Sequence, residues 1–151
     1  MSCTLAIFPG SFDPFSAGHY DVALRALRMF DRVVVAIGVN AEKRCLYSPA
    51  ERQQAIEKAF ADEPRVQACI YEGLTVDLCQ RLGATHIVRG LRNAADFEAE
   101  LAAAQANKAM LPEVDTVLLP AAPSLRFVSS TIIRDILKNG GNADTFLPNN
   151  A

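Results

Sequence analysis

The sequence predicts an α/β protein: a doubly wound fold with a five-stranded parallel sheet, formed as a single domain over residues 1–151. Three observations carry that prediction. Short apolar runs alternate with helix-like stretches along the whole chain. Most of the runs are continuously apolar rather than alternating, as strands covered on both faces must be. The segments richest in Gly, Pro, Ser and Arg fall after the strands, and right-handed crossovers bring those loops together on one edge of a Rossmann-like sheet.

The predicted strands are Thr4–Phe8, Arg32–Gly38, Val66–Tyr71, His86–Arg89 and Val114–Leu119, and all but the third are continuously apolar. Helices are predicted near Gly18–Phe30, Pro49–Phe60, Thr75–Leu82, Ala94–Met110 and Ser129–Lys138. Ser48 followed by Pro49 reads as an N-cap and first helical residue. Asn93, with Asp96 three residues on, forms a weaker version of the capping box. Gly140-Gly141 stops the last helix.

Composition narrows the function classes. A net charge of −2 argues against nucleic-acid binding through bulk positive charge, so cations must act locally. No apolar run approaches the ~18 residues of a membrane span, and the first residues lack a signal-peptide layout. Cys3, Cys45, Cys69 and Cys79 show no C-x-x-C spacing, which points to reduced thiols in a cytoplasmic protein rather than a zinc or redox site.

The most informative segment is Phe8-Pro-Gly-Ser-Phe-Asp-Pro-Phe-Ser-Ala-Gly-His19. It runs from a strand through a loop to a helix start, where backbone N–H groups and the helix dipole meet phosphate. It is neither a dinucleotide fingerprint nor a G-x-x-x-x-G-K-[ST] loop. It places His19 on the first helical turn, after a glycine that lets a ligand approach, while Asp13-Pro14 shapes the loop. Lys43 and Arg44 follow the second strand as an exposed basic pair. Arg89 and Arg92 flank Gly90-Leu91 at the end of the fourth strand, an anion clamp by type and spacing. Asp96 and Glu100 share a helix face and read as a solvated face or as partners of a nearby arginine. Ser129, Ser130 and Thr131 open the last helix, as an N-cap or a phosphate cradle. No nucleophile–base arrangement is visible, and His86, at the start of a strand, reads as structural.

The spelling of these segments resembles a known family. Gly10-Ser-Phe-Asp-Pro14 with Gly18-His19 is similar to the (T/H)-x-G-H signature of nucleotidyltransferases, and the whole loop to G-(S/T)-F-D-P-x-(T/S)-x-G-H of the phosphopantetheine adenylyltransferase family. Val88-Arg-Gly-Leu-Arg-Asn-Ala-Ala-Asp-Phe-Glu98, Phe127-Val-Ser-Ser-Thr131 and Phe146-Leu-Pro148 resemble three further blocks of that family, in the same order. Ser11 stands where threonine is common, and Ser16-Ala17 where Thr-Asn is usual. The resemblance implies an enzyme that transfers the adenylyl group of ATP to 4′-phosphopantetheine, giving dephospho-coenzyme A and pyrophosphate directly, with no covalent intermediate. It implies catalysis by His19, Lys43 and Arg92. It assigns ATP to Ser11, Phe12, His19, Gly90, Leu91, Arg92, Glu100, Leu125, Arg126, Phe127, Val128, Ser129, Ser130 and Thr131. It assigns the acceptor to Ser11, Lys43, Thr75 and Arg89. Mg2+ is expected with the triphosphate rather than on protein ligands, and a homohexamer without nucleic-acid or membrane partners is expected. Two alternatives stay open: another acceptor, such as nicotinate mononucleotide, or a non-catalytic adenine-nucleotide sensor.

Overall fold

The computed structural model describes residues 3–149; the outermost residues of the predicted 1–151 domain lie outside that range. Strands β1 (Leu5–Gly10), β2 (Arg32–Gly38), β3 (Val66–Tyr71), β4 (His86–Leu91) and β5 (Asp115–Pro120) form one parallel sheet in the order β3-β2-β1-β4-β5. They alternate with helices α1 (Ala17–Ala26), α2 (Pro49–Ala59), α3 (Thr75–Leu82), α4 (Ala94–Met110) and α5 (Ser130–Lys138).

Alternate residues of the apolar strands sort to opposite faces. Ala6, Phe8, Val33, Val35 and Ile37 pack with Val22, Ala23 and Ala26 of α1 and with Ile56 and Ala59 of α2. Leu5, Ile7, Val34 and Ala36 pack with Leu78 and Cys79 of α3 on the other side. A smaller cluster of Val128, Ile133 and Ala143 seats α5.

The sheet opens where the site lies. β1 stays in register with β2 to Gly10↔Ile37, but it pairs with β4 only at Ala6↔His86 and Ile7↔Ile87. Beyond those pairs β1 and β4 diverge, at the point where strand order reverses, and a crevice forms at their carboxyl ends.

Three sequence expectations shift. β1 and β4 run two residues further than predicted, because Pro9-Gly10 and Gly90-Leu91 continue the ladders to β2 and β5 instead of turning. Helix α1 stops at Ala26 and tightens into bonds from Arg28 N to Arg25 O and from Met29 N to Ala26 O. β5, apolar enough to be read as covered on both faces, is an edge strand with no buried residue. The caps follow the sequence: Ser48 and Glu51 form a capping box with Pro49 in the first turn, and Gly140 turns the chain at φ 77 after α5. Asn93 caps α4, but the Asp96 carboxylate accepts from Arg92 N rather than from the N-cap amide.

Candidate active site

A cleft of about 390 Å³ occupies the crevice, walled by the β1–α1 loop, the end of β4 and the first turn of α5. His19 forms its floor. Its Nδ1 accepts from Ser16 N at 3.0 Å, and Ser16 Oγ in return accepts from His19 N at 3.2 Å, so the two residues cap α1 reciprocally. A backbone N–H can only donate, so Nδ1 is unprotonated and the neutral ring carries its proton on Nε2. The rings of Phe8, Phe12 and Phe15 lie 6.2, 5.0 and 5.6 Å from the imidazole. One edge of the ring still reaches the cleft, yet burial, followed by the charges of Arg89 and Arg92, lowers its pKa from 6.5 to about 3. The imidazole is therefore a neutral hydrogen-bond donor.

Phe12 holds the loop in shape. It sits in the left-handed region at φ 51, which costs a non-glycine residue roughly 1–2 kcal/mol. Its ring offsets that cost by packing edge-on against Phe8 and Phe15. Gly10 is required beneath it, because a Cβ there would stand 2.9 Å from the Phe12 ring.

The cations converge with different degrees of restraint. Arg89 gives its Nε and Nη2 to the two carboxylate oxygens of Glu100, both at 2.7 Å, and its Nη1 to the Pro9 carbonyl across the splayed strands. That fork is half-buried and fixes the guanidinium rigidly. Arg92 pairs with Asp96 at 3.0 Å in a more exposed arrangement across the helix start, worth only about 0.2–1 kcal/mol. Burial pushes the Asp96 carboxyl up, but hydrogen bonds from Arg92 and the charges of Arg92 and Arg89 outweigh it and hold it below its usual range. Lys43 Nζ donates to Ser11 Oγ at 3.0 Å. Arg134 donates to the Asp13 carbonyl and to Thr131 Oγ1.

A second cavity of about 460 Å³ adjoins the first and shares Ser11, Lys43, Arg89 and Glu100 with it. Thr75, hydrogen-bonded to the Tyr71 hydroxyl at 2.8 Å, lies along it with Asn40 and Asn107. The wall from α4 includes the small residues Ala103 and Ala104 beside Glu100 and Asn107, and amides and hydroxyls stand at the sides.

Of the residues singled out from sequence, Ser11, Phe12, His19, Lys43, Arg89, Gly90, Leu91, Arg92 and Glu100 line the first cleft, as do Leu125 and Val128 to Thr131. Thr75 lines the second. Two do not join them. Arg126 Nε is turned to the Arg92 carbonyl at 2.8 Å. Phe127, 57% exposed, packs edge-on against Phe146. Glu100 lines both cavities, but its oxygens are taken by Arg89. His86 lies at the opposite edge of the sheet against Phe30 and Thr85. Two of the thiols are held protonated by their surroundings: burial pushes Cys79 up to about 11 and raises Cys69 against the opposing charge of Arg81. Sequence reasoning missed Arg134. Its position three residues after Thr131, on the same face of the helix start, was the available signal.

Comparison with known proteins places this arrangement. A cytidylyltransferase-like family model matches residues 7–136, and the chain belongs to that family. More particularly, it is a member of the phosphopantetheine adenylyltransferases. The enzyme of that name from Flavobacterium psychrophilum is 50% identical over 143 residues, 95% of this chain and 94% of the relative. The one from Porphyromonas gingivalis is 45% identical over 148 residues, 98% of this chain and 96% of the relative. Among solved structures, a bifunctional NMN adenylyltransferase/ADP ribose pyrophosphatase from Francisella tularensis superimposes with a TM-score of 0.76 at 18% identity. That match covers 99% of this chain and 46% of the other, and the likeness is one of fold.

Proposed function

We infer that the protein transfers the adenylyl group of ATP to 4′-phosphopantetheine, giving dephospho-coenzyme A and pyrophosphate. The observation that carries this reading, beside the family membership, is the meeting of two cavities at Ser11, Lys43 and Arg89. One lobe suits a triphosphate, with Arg92, Arg134 and the N-terminus of α5 around it. The other is large enough and polar enough for the pantetheine arm.

The acceptor phosphate has a second pKa of about 6 and is already a nucleophile at neutral pH. Its oxygen attacks the α-phosphorus, the bond from that phosphorus to the α,β-bridging oxygen breaks, and pyrophosphate leaves with the electron pair. Neither a general base nor a protein nucleophile is needed. What the chain supplies is position and charge. Lys43 and Arg89 hold the acceptor phosphate, Arg89 as a fixed point oriented by Glu100. Arg92, Arg134 and the amides at Ser129 to Thr131 bind the nucleotide phosphates. Neutral His19 donates from Nε2 to the α-phosphate as charge builds there.

Among the described residues no cluster of three or more His, Cys, Asp or Glu could hold a metal, and both cleft carboxylates are engaged by arginines. Magnesium therefore enters this reading as the ATP complex, a substrate. The homohexamer and a cytoplasmic location are part of the same proposal; no helix among the described residues is long and apolar enough to cross a membrane.

The test is pyrophosphate release from ATP with a panel of acceptors. Turnover is expected with 4′-phosphopantetheine and not with nicotinate mononucleotide. Turnover with the mononucleotide alone reassigns the acceptor, and ATP binding without turnover with any acceptor makes the protein a sensor.

A further inference from the structure

Among the described residues two ionic side chains are almost wholly buried, Asp13 at 1% and Arg52 at 4% exposure, and neither is paired there with the opposite charge. Burying an ionic group is expensive unless hydrogen bonds replace water. Their bonds are informative because all but the local one from Arg52 to Ser48 join two segments. Asp13 accepts from Leu46 N at 2.7 Å and from Tyr47 N at 2.9 Å. Arg52 Nη1 donates to Ser11 O at 2.7 Å, and its Nε reaches Ser48 O. The phosphate loop at Ser11–Asp13 and the loop that carries Lys43 are thus fastened together from both ends.

Between β2 and α2 the Lys43 loop has little else to hold it. Lys43 N bonds Asn40 O and Glu42 N bonds Asn40 Oδ1, both within the loop itself. Its described attachments to the rest of the cleft are the two amides on Asp13 and Lys43 Nζ on Ser11 Oγ. All of them end on the same three-residue stretch. An ammonium on a flexible stem is a poor fixed point, so the backbone beneath it must be set by something rigid.

We propose that Asp13 and Arg52 are positioning residues that lock the Lys43 loop to the phosphate loop, so that Lys43 and Ser11 meet the acceptor phosphate as one preformed unit. The proposal rests on the assignment of Lys43 to the acceptor. Asp13 touches no substrate in this account; it acts through Lys43. Asp13→Asn keeps the volume but turns one acceptor into an NH2 group that faces a backbone N–H.

The experiment is a double-mutant cycle on steady-state kinetics with ATP and 4′-phosphopantetheine. Asp13→Asn is expected to raise the acceptor KM about tenfold, toward the ~10²-fold that misplacement of a binding group can cost, with the ATP KM within about twofold. In a Lys43→Ala background the same substitution should add less than about twofold, since residues that act as a unit are not additive. Equal factors in both backgrounds overturn the lock. Lys43→Ala with no effect on the acceptor KM sinks the assignment of Lys43, and the lock with it, so the two failures are distinguishable. Should Asp13→Asn not fold, Arg52→Lys takes its place in the cycle. Amide hydrogen exchange on the unaltered protein gives an independent check: Leu46 and Tyr47 should be protected, and exchange at free-loop rates would overturn the proposal.

Discussion

The two edges of the sheet use the same residue types to opposite ends. At the amino edge the charges are exposed: Lys108 pairs with Asp115 at 2.9 Å, Asp31 accepts from the amide and hydroxyl of Thr4, and Arg32 donates to Gln67 Oε1. Thr4 hydrogen bonds lower the Asp31 pKa, and the Lys108 ammonium does the same for Asp115. At the carboxyl edge, Lys43, Arg52 and Arg134 rest on hydroxyls and carbonyls, which leaves their charge uncancelled. The two histidines make the contrast sharpest. His86 is half-buried against Phe30, while His19 is ringed by phenylalanines and held neutral beneath the cations. Uncancelled positive charge over a neutral donor is what a transferring phosphoryl group requires.

That contrast can be broken experimentally, from its largest consequence downward. Removing a preorganised donor from the transition state costs ~10²–10³ in rate, so His19→Ala should lose that much kcat while its far-UV spectrum and ATP affinity stay near those of the parent. A fully active variant would remove the imidazole from the mechanism. Arg89→Lys gives up the fork to Glu100 and the reach to Pro9 together, and ~10-fold or more in kcat/KM for the acceptor should go with it. Arg92→Lys, which disturbs only an exposed pair, should change kcat/KM less than Arg89→Lys does; the reverse order would mean that the rigid and mobile arginines have been confused. His86→Ala should leave both kinetic constants within about twofold, as surface changes away from the chemistry do.

Much of this was legible before any coordinates. The Phe8–His19 segment is local: strand end, loop and helix start are contiguous, so its chemistry could be inferred from neighbours in the chain. The same holds for Arg89 and Arg92, and for the caps at Ser48 and Asn93. What could not be seen depends on tertiary meeting. Glu100 reads from the sequence as a partner of a nearby arginine, but that the arginine is Arg89, gripped by a fork from strand to helix, shows only in the fold. Asp13 finds its partners more than 30 residues away, and nothing in a turn-like Asp-Pro announces a buried acceptor. Arg126 precedes and Phe127 opens a matching sequence block, yet neither lines the cleft, because a block records chain order and not side-chain direction. β5 reads as a strand covered on both faces because burial at an edge is a property of the sheet, not of the segment.

Acid stability offers a gentler probe of the same edge. The folded chain keeps His19 unprotonated down to about pH 3, whereas the unfolded chain takes up that proton near 6.5. Stability from this group is therefore complete above pH 6.5 and falls as the pH drops from there toward 3. A His19→Gln variant, which has no such proton to gain, should show a smaller drop in urea midpoint between pH 7 and pH 5 than the parent does.

The account turns on the imidazole at the carboxyl edge acting as a neutral donor, and nitrogen NMR of that ring tests it directly. From pH 8 to pH 5 the His19 signals should remain those of a neutral ring protonated on Nε2, with Nδ1 accepting a hydrogen bond. A titration centred near pH 6.5, or a proton found on Nδ1, would contradict it.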